Sequence, residues 1–166
     1  MEELFEDALP RLSWYRFARW ELQMRTRWTG PYTIDELLSG LATGKLRSPP
    51  TTSAAYLVSE EKWAKSPSQS CRPLYVGGNT GKSPRFRTRM GDLIADMHGF
   101  FCNETGHHSG GQSLYRYCRD HHLNPQALWI GWIQAKCGRC LEGHLHSRLK
   151  PLLNKRTPPP CGKHRV

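Results

Sequence analysis

Apolar positions in the first part of the chain follow two patterns, one typical of strands and one typical of a helix. Residues 17–24 and 51–58 are rich in aromatic and large apolar side chains, which favours strands. Between them, four apolar residues keep helical spacing: Ile34, Leu37, Leu38 and Leu41. Thr33 and Glu36 match a capping box at the start of this predicted helix, and Gly44 is a natural left-handed stop beyond its end.

The second half of the chain carries mostly helical patterns. Apolar residues keep helical spacing over residues 85–101, and further helices are predicted over 113–121, 125–136 and 141–153. Pro125 follows Asn124, which is a favourable first position for a helix. The sequence therefore predicts four helices after the strand-rich first part.

These patterns predict an α+β protein built from two modules. The first is a small β-sheet and helix module over residues 1–70, and the second is a helical, basic module over residues 86–153. Residues 71–85, rich in glycine and proline, are predicted to be a linker. Residues 154–166 are basic and proline-rich and are predicted to form a disordered tail.

The first module resembles a known family. The matching residues occur in order along the chain: Gly30-Pro31-Tyr32, Leu37, Leu41, Gly44-Lys45-Leu46 and Trp63. They resemble GYF-type domains, especially the bacterial second subgroup, over about residues 18–66. The resemblance implies a small sheet packed on one helix, and classical members bind proline-rich peptides through an aromatic surface. Tyr32 matches that surface, but Gly40 and Lys45-Leu46 stand where those members have Trp and a Tyr-Phe pair.

Residues 113–136 are similar to the helix-turn-helix of transposases and related regulators. Their second helix, over 125–136, would be the one that enters the major groove of DNA. It is apolar and has no Arg or Lys before Lys136, whereas base readout needs hydrogen-bond donors aimed at base edges. We therefore expect this helix to be buried or to dock a protein partner through Trp129 and Trp132.

Four residues of the second half have the spacing of metal ligands. Cys118 and His121 form C-x2-H, and Cys137 and Cys140 form C-x2-C after a gap of fifteen residues. Thiolate and imidazole ligands at such spacings predict a closed tetrahedral Zn²⁺ site. Other ligands remain open: His122, His144 or His146 in place of His121, and Cys102 with His107 or His108 as additional ligands. Disulfides or buried free thiols are the alternatives for these cysteines.

Positive charge is concentrated in the second half of the chain. The net charge is +10, of which residues 1–80 carry +1 (10 basic, 9 acidic) and residues 81–166 carry +9 (14 basic, 5 acidic). A polyanion such as nucleic acid is the expected partner, and a solubilising charge is the alternative. Six basic residues lie near aromatic side chains and are predicted to contact phosphates: Lys82, Arg85, Arg87, Arg89, Arg116 and Arg119.

No catalytic constellation is visible in the linear pattern, so enzymatic activity stays uncertain and is not the first expectation. We expect a non-catalytic, zinc-stabilised, nucleic-acid-binding accessory protein of a mobile element, a virus or a regulatory system. The alternative is a zinc-stabilised adaptor that docks a protein through the helix over 125–136. No run of eighteen apolar residues occurs, and the first residues are acidic, so an intracellular location (cytoplasmic or nuclear) is expected.

Overall fold

The computed structural model describes residues 27–79, 84–100, 108–135, 137–156 and 158. Within these residues the chain forms four strands, four α-helices and two short 3₁₀ turns. The elements in chain order are β1 (Thr29–Thr33), α1 (Ile34–Ala42), β2 (Ala54–Ser59), β3 (Pro73–Gly78), α2 (Phe86–Met97), α3 (Ser109–Asp120), β4 (Trp129–Gln134) and α4 (Gly138–Leu149). The α+β class predicted from the sequence is confirmed. The strand predicted over 17–24 lies outside the described residues. None of the described helices is long and apolar enough to cross a membrane.

The four strands form one antiparallel sheet in the order β1-β4-β2-β3. Strand β4 lies between β1 and β2, so the helix predicted over 125–136 is wrong: residues 129–134 are a strand after the 3₁₀ turn Pro125–Ala127. A strand in the middle of a sheet that is covered on both faces has a continuous apolar sequence instead of an alternating one. A short apolar run of this kind cannot be distinguished from a buried helix by its spacing alone.

The sheet also joins segments that the sequence assigned to different modules. Strand β4 comes from the predicted second module and pairs with β1 and β2 of the first. Strand β3, of six residues, lies within the segment 71–85 that was predicted to be a linker. The division into two modules with a linker between them is therefore wrong for the described residues. Glycine and proline in 71–85 suggested a flexible connection, but Gly77 and Gly78 pair with Tyr56 and Ala55 at the end of the strand.

Helix α1 agrees closely with its sequence signals. The Thr33 side chain accepts a hydrogen bond from the Glu36 backbone N–H at 3.0 Å, and the Glu36 carboxylate accepts one from the Thr33 backbone N–H at 2.8 Å. Gly44 follows the helix with φ of 70°, in the left-handed region where a glycine is favoured. The predicted capping box and stop are both confirmed, because they depend only on residues close in sequence.

Each face of the sheet carries its own apolar core. On the first face, helices α1, α2 and α3 cover Tyr56, Val58, Ile130 and Trp132 with buried residues that include Leu37, Phe86, Leu93 and Leu114. On the second face, helix α4 covers Ala55, Leu57, Val76 and Ile133 with Leu141, Leu145 and Leu149. The sheet therefore separates α4 from α2 and α3, which decides where the candidate ligands lie.

Helix α3 begins at Ser109, earlier than the predicted start at residue 113. Its first turn contains Gly110 and Gly111, which sequence propensity disfavours in a helix. The structure gives a reason for Gly111: a β-carbon there would lie 2.6 Å from the Leu93 carbonyl oxygen and 2.5 Å from the Asp96 β-carbon. The missing side chain allows α3 to pack closely on α2.

Candidate functional site

The structure does not bring the four predicted zinc ligands together. Cys118 is 3% exposed in the core of the first face, and His121 is exposed at the C-terminal end of α3. Cys137 and Cys140 lie at the start of α4, on the second face of the sheet. Among the described residues, no group of three or more His, Cys, Asp or Glu side chains is placed to hold a metal ion. The two halves of the predicted set lie on opposite faces of the sheet, so zinc binding by these four residues stays a prediction that this arrangement does not support. Of the alternatives, Cys102 and His107 lie outside the described residues.

The predicted phosphate-contacting residues are at the surface. Lys82 lies outside the described residues, and the other five are exposed on α2 and α3: Arg85, Arg87, Arg89, Arg116 and Arg119. Arg87 donates a hydrogen bond to the Pro49 carbonyl oxygen at 2.8 Å, and Arg119 forms an ion pair with Asp120 at 2.8 Å. Arg85 and Arg89 are one helical turn apart and share a side of α2.

The tryptophans predicted to dock a partner are mainly structural. Trp132 is only 4% exposed and lies under Tyr32, with ring centroids 6.0 Å apart. Trp129 is half-buried at the start of β4, and the Lys62 ammonium lies 5.0 Å from its ring centroid. A docking helix over 125–136 is therefore wrong, because residues 129–134 form a strand between β1 and β2 in which residues 130–133 are buried.

A different set of residues, not singled out from the sequence, meets where β2 and β3 run together. We call it the polar cluster. Its centre is formed by Tyr56 on β2, Tyr75 on β3 and His108 before α3, and it also includes two residues that act on these rings electrostatically, Arg89 on α2 and Glu142 on α4. The Tyr56 and Tyr75 rings are stacked with centroids 6.3 Å apart, and His108 meets Tyr75 edge-on at 5.9 Å. Glu142 lies at the end of β3, where a β-carbon at Gly78 would be 3.2 Å from its Oε2.

The inner part of the polar cluster is a buried hydrogen-bonded chain. The Tyr56 hydroxyl lies 2.8 Å from His108 Nε2, and both groups are buried. The His108 backbone N–H donates to Asp96 Oδ2 at 2.6 Å, and Asp96 is 1% exposed. The Gly111 backbone N–H donates to His108 Nδ1 at 3.4 Å, so the imidazole also caps α3. Residues on β2, α2 and α3 are thereby linked.

Burial keeps both aromatic side chains of this hydrogen-bonded series, Tyr56 and His108, neutral. Burial and the nearby Arg89 guanidinium lower the pKa of His108 to about 4. Burial raises the pKa of Tyr56 well above its ordinary value, and the neighbouring Tyr75 raises it further. In a neutral imidazole whose Nδ1 accepts from Gly111, the proton is on Nε2 and is donated to the Tyr56 oxygen. The Tyr56 O–H is then left to donate to another group.

The outer part of the polar cluster combines a cation, a carboxylate and a phenol. Burial raises the pKa of Glu142 to about 7, and the guanidinium groups of Arg89 and Arg139 oppose that rise. Glu142 Oε2 is buried and has no hydrogen-bond partner among the described residues. Burial and Glu142 raise the pKa of Tyr75, which is half-buried, while Arg89 lowers it. The exposed Arg89 therefore acts electrostatically on every other member of the cluster.

Two glycines provide the space in which the cluster assembles. A β-carbon at Gly77 would lie 2.3 Å from the Tyr56 hydroxyl oxygen, and one at Gly110 would lie 2.2 Å from the Tyr75 ring. Neither side chain could keep its position beside a larger residue. The Gly-Gly run at residues 77–78, assigned to a linker from the sequence, is the one linear signal that points to this site.

The other cluster residues could not be found by spacing, because 86 positions separate Tyr56 from Glu142 and each residue belongs to a different element. Comparison with known proteins adds no further guide: no family model, no curated protein and no solved structure matches the chain. The site is therefore interpreted from its chemistry. It offers one exposed cation for an anion, the half-buried Tyr75 phenol as a hydrogen-bond donor and one carboxylate as a proton acceptor, while Tyr56 is buried beneath them.

Proposed function

We propose that the protein hydrolyses phosphodiester bonds of nucleic acid at the polar cluster. The observation that carries the proposal is the contact of Tyr56, Tyr75 and His108 beside a Gly-Gly strand end. Arg89 and Glu142 act on these rings electrostatically. Titratable groups with perturbed pKa values gather at active sites more often than elsewhere, because catalysis uses charges and protons that burial would otherwise disfavour. This proposal replaces the first expectation of a non-catalytic protein.

The substrate class follows from charge. Arg89 is exposed on α2, and Arg85 lies one turn away on the same helix. A guanidinium group beside a site with phenol donors suits a phosphate anion, which accepts several hydrogen bonds at once. The net charge of +9 in residues 81–166 favours a polyanion over a small phosphate ester. Nucleic acid is the polyanion that satisfies both features.

Each cluster residue has a role in the proposed reaction. Arg89 holds the non-bridging oxygens of the phosphate, and the hydroxyl of the half-buried Tyr75 donates a hydrogen bond to the same group. Glu142, whose Oε2 accepts no hydrogen bond within the described residues, takes a proton from the attacking water. The water oxygen bonds to phosphorus, the bond from phosphorus to the leaving ester oxygen breaks, and the leaving oxygen takes a proton from solvent. His108 positions Tyr56 through the 2.8 Å contact.

A cleavage assay with labelled single- and double-stranded DNA and RNA tests the proposal, in buffer with Mg²⁺ or Mn²⁺ and in buffer with chelator. We expect cleavage by the unaltered chain and a fall of about 100-fold or more in Glu142→Gln and Arg89→Ala, since a positioned acid or base contributes on that order. Arg119→Ala is the matched control, because Arg119 is also exposed but forms its ion pair with Asp120. Cleavage by Glu142→Gln at the unaltered rate would refute the assignment.

Nucleic-acid binding without cleavage is the second candidate, and the five exposed arginines of α2 and α3 favour it. Binding measured in the same samples separates the two proposals. Phosphate contacts release counterions, so affinity should fall steeply with salt in either case. Salt-dependent binding with no cleavage of any of the four nucleic acids would support the second candidate and exclude the first. Zinc as the stabiliser of the fold is a separate matter and needs a different set of ligands.

A further inference from the structure

A pocket of about 220 Å³ lies at the edge of the sheet, where strand β3 begins. We call it the edge pocket, and its lining includes three charged residues and three leucines: Glu60, Arg72, Lys150, Leu74, Leu149 and Leu152. None of the five residues of the polar cluster is among the described residues that line it. Sites for drug-sized ligands measure about 300–1,000 Å³, so the edge pocket suits one smaller molecule or the end of a chain.

The apolar side of the edge pocket includes a leucine that the fold leaves in solvent. Leu74 and Leu149 are buried, whereas Leu152 is 64% exposed. Its backbone N–H donates to the Pro73 carbonyl oxygen at 3.0 Å, which fixes Leu152 beside the start of β3. Two buried leucines and one exposed leucine together give an apolar surface that a flat ring can cover.

The two cations of the edge pocket stand at positions where a glycine would be cheaper. Arg72 ends the 3₁₀ turn Gln69–Cys71 with φ of 50°, and Lys150 ends α4 with φ of 47°. Side chains other than glycine are disfavoured in this left-handed region, and such residues gather at sites that clamp ligands. Both side chains are exposed, and both line the same pocket.

The charges of the edge pocket leave a positive excess. Arg72 forms an ion pair with Glu60 Oε2 at 2.7 Å, and the Tyr117 hydroxyl donates to Glu60 Oε1. Burial and this hydrogen bond raise the pKa of Tyr117 to about 12, so the phenol keeps its proton. Glu60 thus holds Arg72 in place with both of its oxygens occupied. The Lys150 ammonium forms no ion pair with any residue that the structure describes, and the pocket therefore favours an anion.

The chemistry of the lining indicates the class of anion. A guanidinium group and an ammonium group suit a phosphate, which accepts several hydrogen bonds at once. The Gln69 amide, which also lines the pocket, both donates and accepts, as the edge of a nucleobase requires. We propose that the edge pocket binds a nucleoside monophosphate, free or as the phosphorylated end of a strand, with its phosphate at Arg72 and Lys150 and its base against Leu152. This site is separate from the proposed hydrolysis and involves no covalent step.

Calorimetric titration of the full chain tests the proposal, with the four ribonucleoside 5′-monophosphates as probes. At least one of them should bind more tightly than ribose 5-phosphate, which lacks the base, and than its own nucleoside, which lacks the phosphate. Lys150→Gly should weaken that binding by about 10-fold or more, because a hydrogen bond to a charged group is worth that much. Its melting temperature should hold or rise, since glycine suits the left-handed backbone. Lys155→Gly, also exposed but outside the lining, is the matched control and should keep the affinity.

Two other variants locate the bound nucleotide. Leu152→Ala should weaken binding of the nucleoside monophosphate but not of ribose 5-phosphate, because only the former covers the leucine. Arg89→Ala should keep the affinity, so a loss there would place the nucleotide at the polar cluster and overturn the assignment. Unchanged affinity in Lys150→Gly, or no binding of any of the four nucleotides, would also overturn it.

The source of the nucleotide is decided with a short oligonucleotide that carries or lacks a 5′-phosphate, titrated into Glu142→Gln so that cleavage at the polar cluster does not intervene. Tighter binding of the phosphorylated strand, lost in Lys150→Gly, would identify a strand end as the ligand. Equal binding of the two strands, with the mononucleotide still bound, would identify the free nucleotide. Either result supports the edge pocket, and neither depends on whether the protein cleaves nucleic acid.

Discussion

The pH dependence of folding tests the buried chain of Tyr56 and His108 most directly. The change is His108→Asn, because asparagine keeps an N-cap side chain for α3 but does not titrate. In the folded chain His108 has its pKa lowered to about 4 by burial and by Arg89. In the unfolded chain the same residue should titrate at its ordinary pKa of about 6.5. Between these two values only the unfolded chain takes up the proton.

The sign and size of the effect follow from that difference. When the unfolded state binds more protons, the free energy of unfolding rises with pH, so the stability from a neutral His108 is lost as pH falls from about 6.5 to about 4. A difference of about 2.5 pH units corresponds to about 3 kcal/mol, at 1.36 kcal/mol per unit. Other groups, such as Glu142, titrate in both proteins. Their contributions cancel when the free energy of unfolding of the variant is subtracted from that of the unaltered chain at each pH.

The assay is urea unfolding followed by tryptophan fluorescence, at several pH values between about 4 and 8 and in the presence of chelator. At neutral pH the variant should be less stable by about 1–3 kcal/mol, because the buried Tyr56 hydroxyl loses its partner. As the pH falls, this difference in the free energy of unfolding should close or reverse, because only the unaltered chain has a histidine that must stay neutral in the folded state. The control is Tyr56→Phe, introduced both into the unaltered chain and into His108→Asn. It should remove the difference in stability between them at neutral pH, because the hydroxyl that loses its partner is then absent. If the free energies of unfolding of the two proteins change in parallel from pH 8 to pH 4, His108 is not buried and neutral in the folded chain.

Four further substitutions test packing, helix capping and hydrogen bonding, and each can be checked by urea or thermal unfolding. Gly91→Ala on α2 should stabilise the protein by about 0.5–1 kcal/mol, because a β-carbon there has open space and alanine is the better helix former. Gly110→Ala should instead destabilise it by about 1–3 kcal/mol, since its β-carbon would lie 2.2 Å from the Tyr75 ring. If both alanine substitutions change the stability in the same direction, these two predictions are wrong. Thr33→Ala should cost about 1 kcal/mol through loss of the capping box, and an unchanged midpoint would count against the cap. Asn154→Ala should cost about 2 kcal/mol through loss of its two hydrogen bonds to Val76, and an unchanged midpoint would contradict this.

The sequence by itself determined the elements whose signals are local. The start and end of α1 depend on Thr33, Glu36 and Gly44, which interact across three or four positions, so the linear pattern contains the whole cause. The spacing of apolar residues located α2 for the same reason, to within a few residues of its ends. The α+β class follows from such elements added together.

Tertiary structure alone decided β4, the site and the partition of the ligands. The apolar run at 129–134 is a strand because it pairs with β1 and β2, which lie 70 or more positions away in the sequence. The polar cluster likewise exists only because the fold brings Tyr56, Tyr75 and His108 together from three elements. Cys118 and Cys140 look like neighbours by spacing, yet the sheet separates their helices. Spacing reports contacts within one element, whereas strand pairing and the choice of sheet face depend on the burial of distant apolar surfaces against one another.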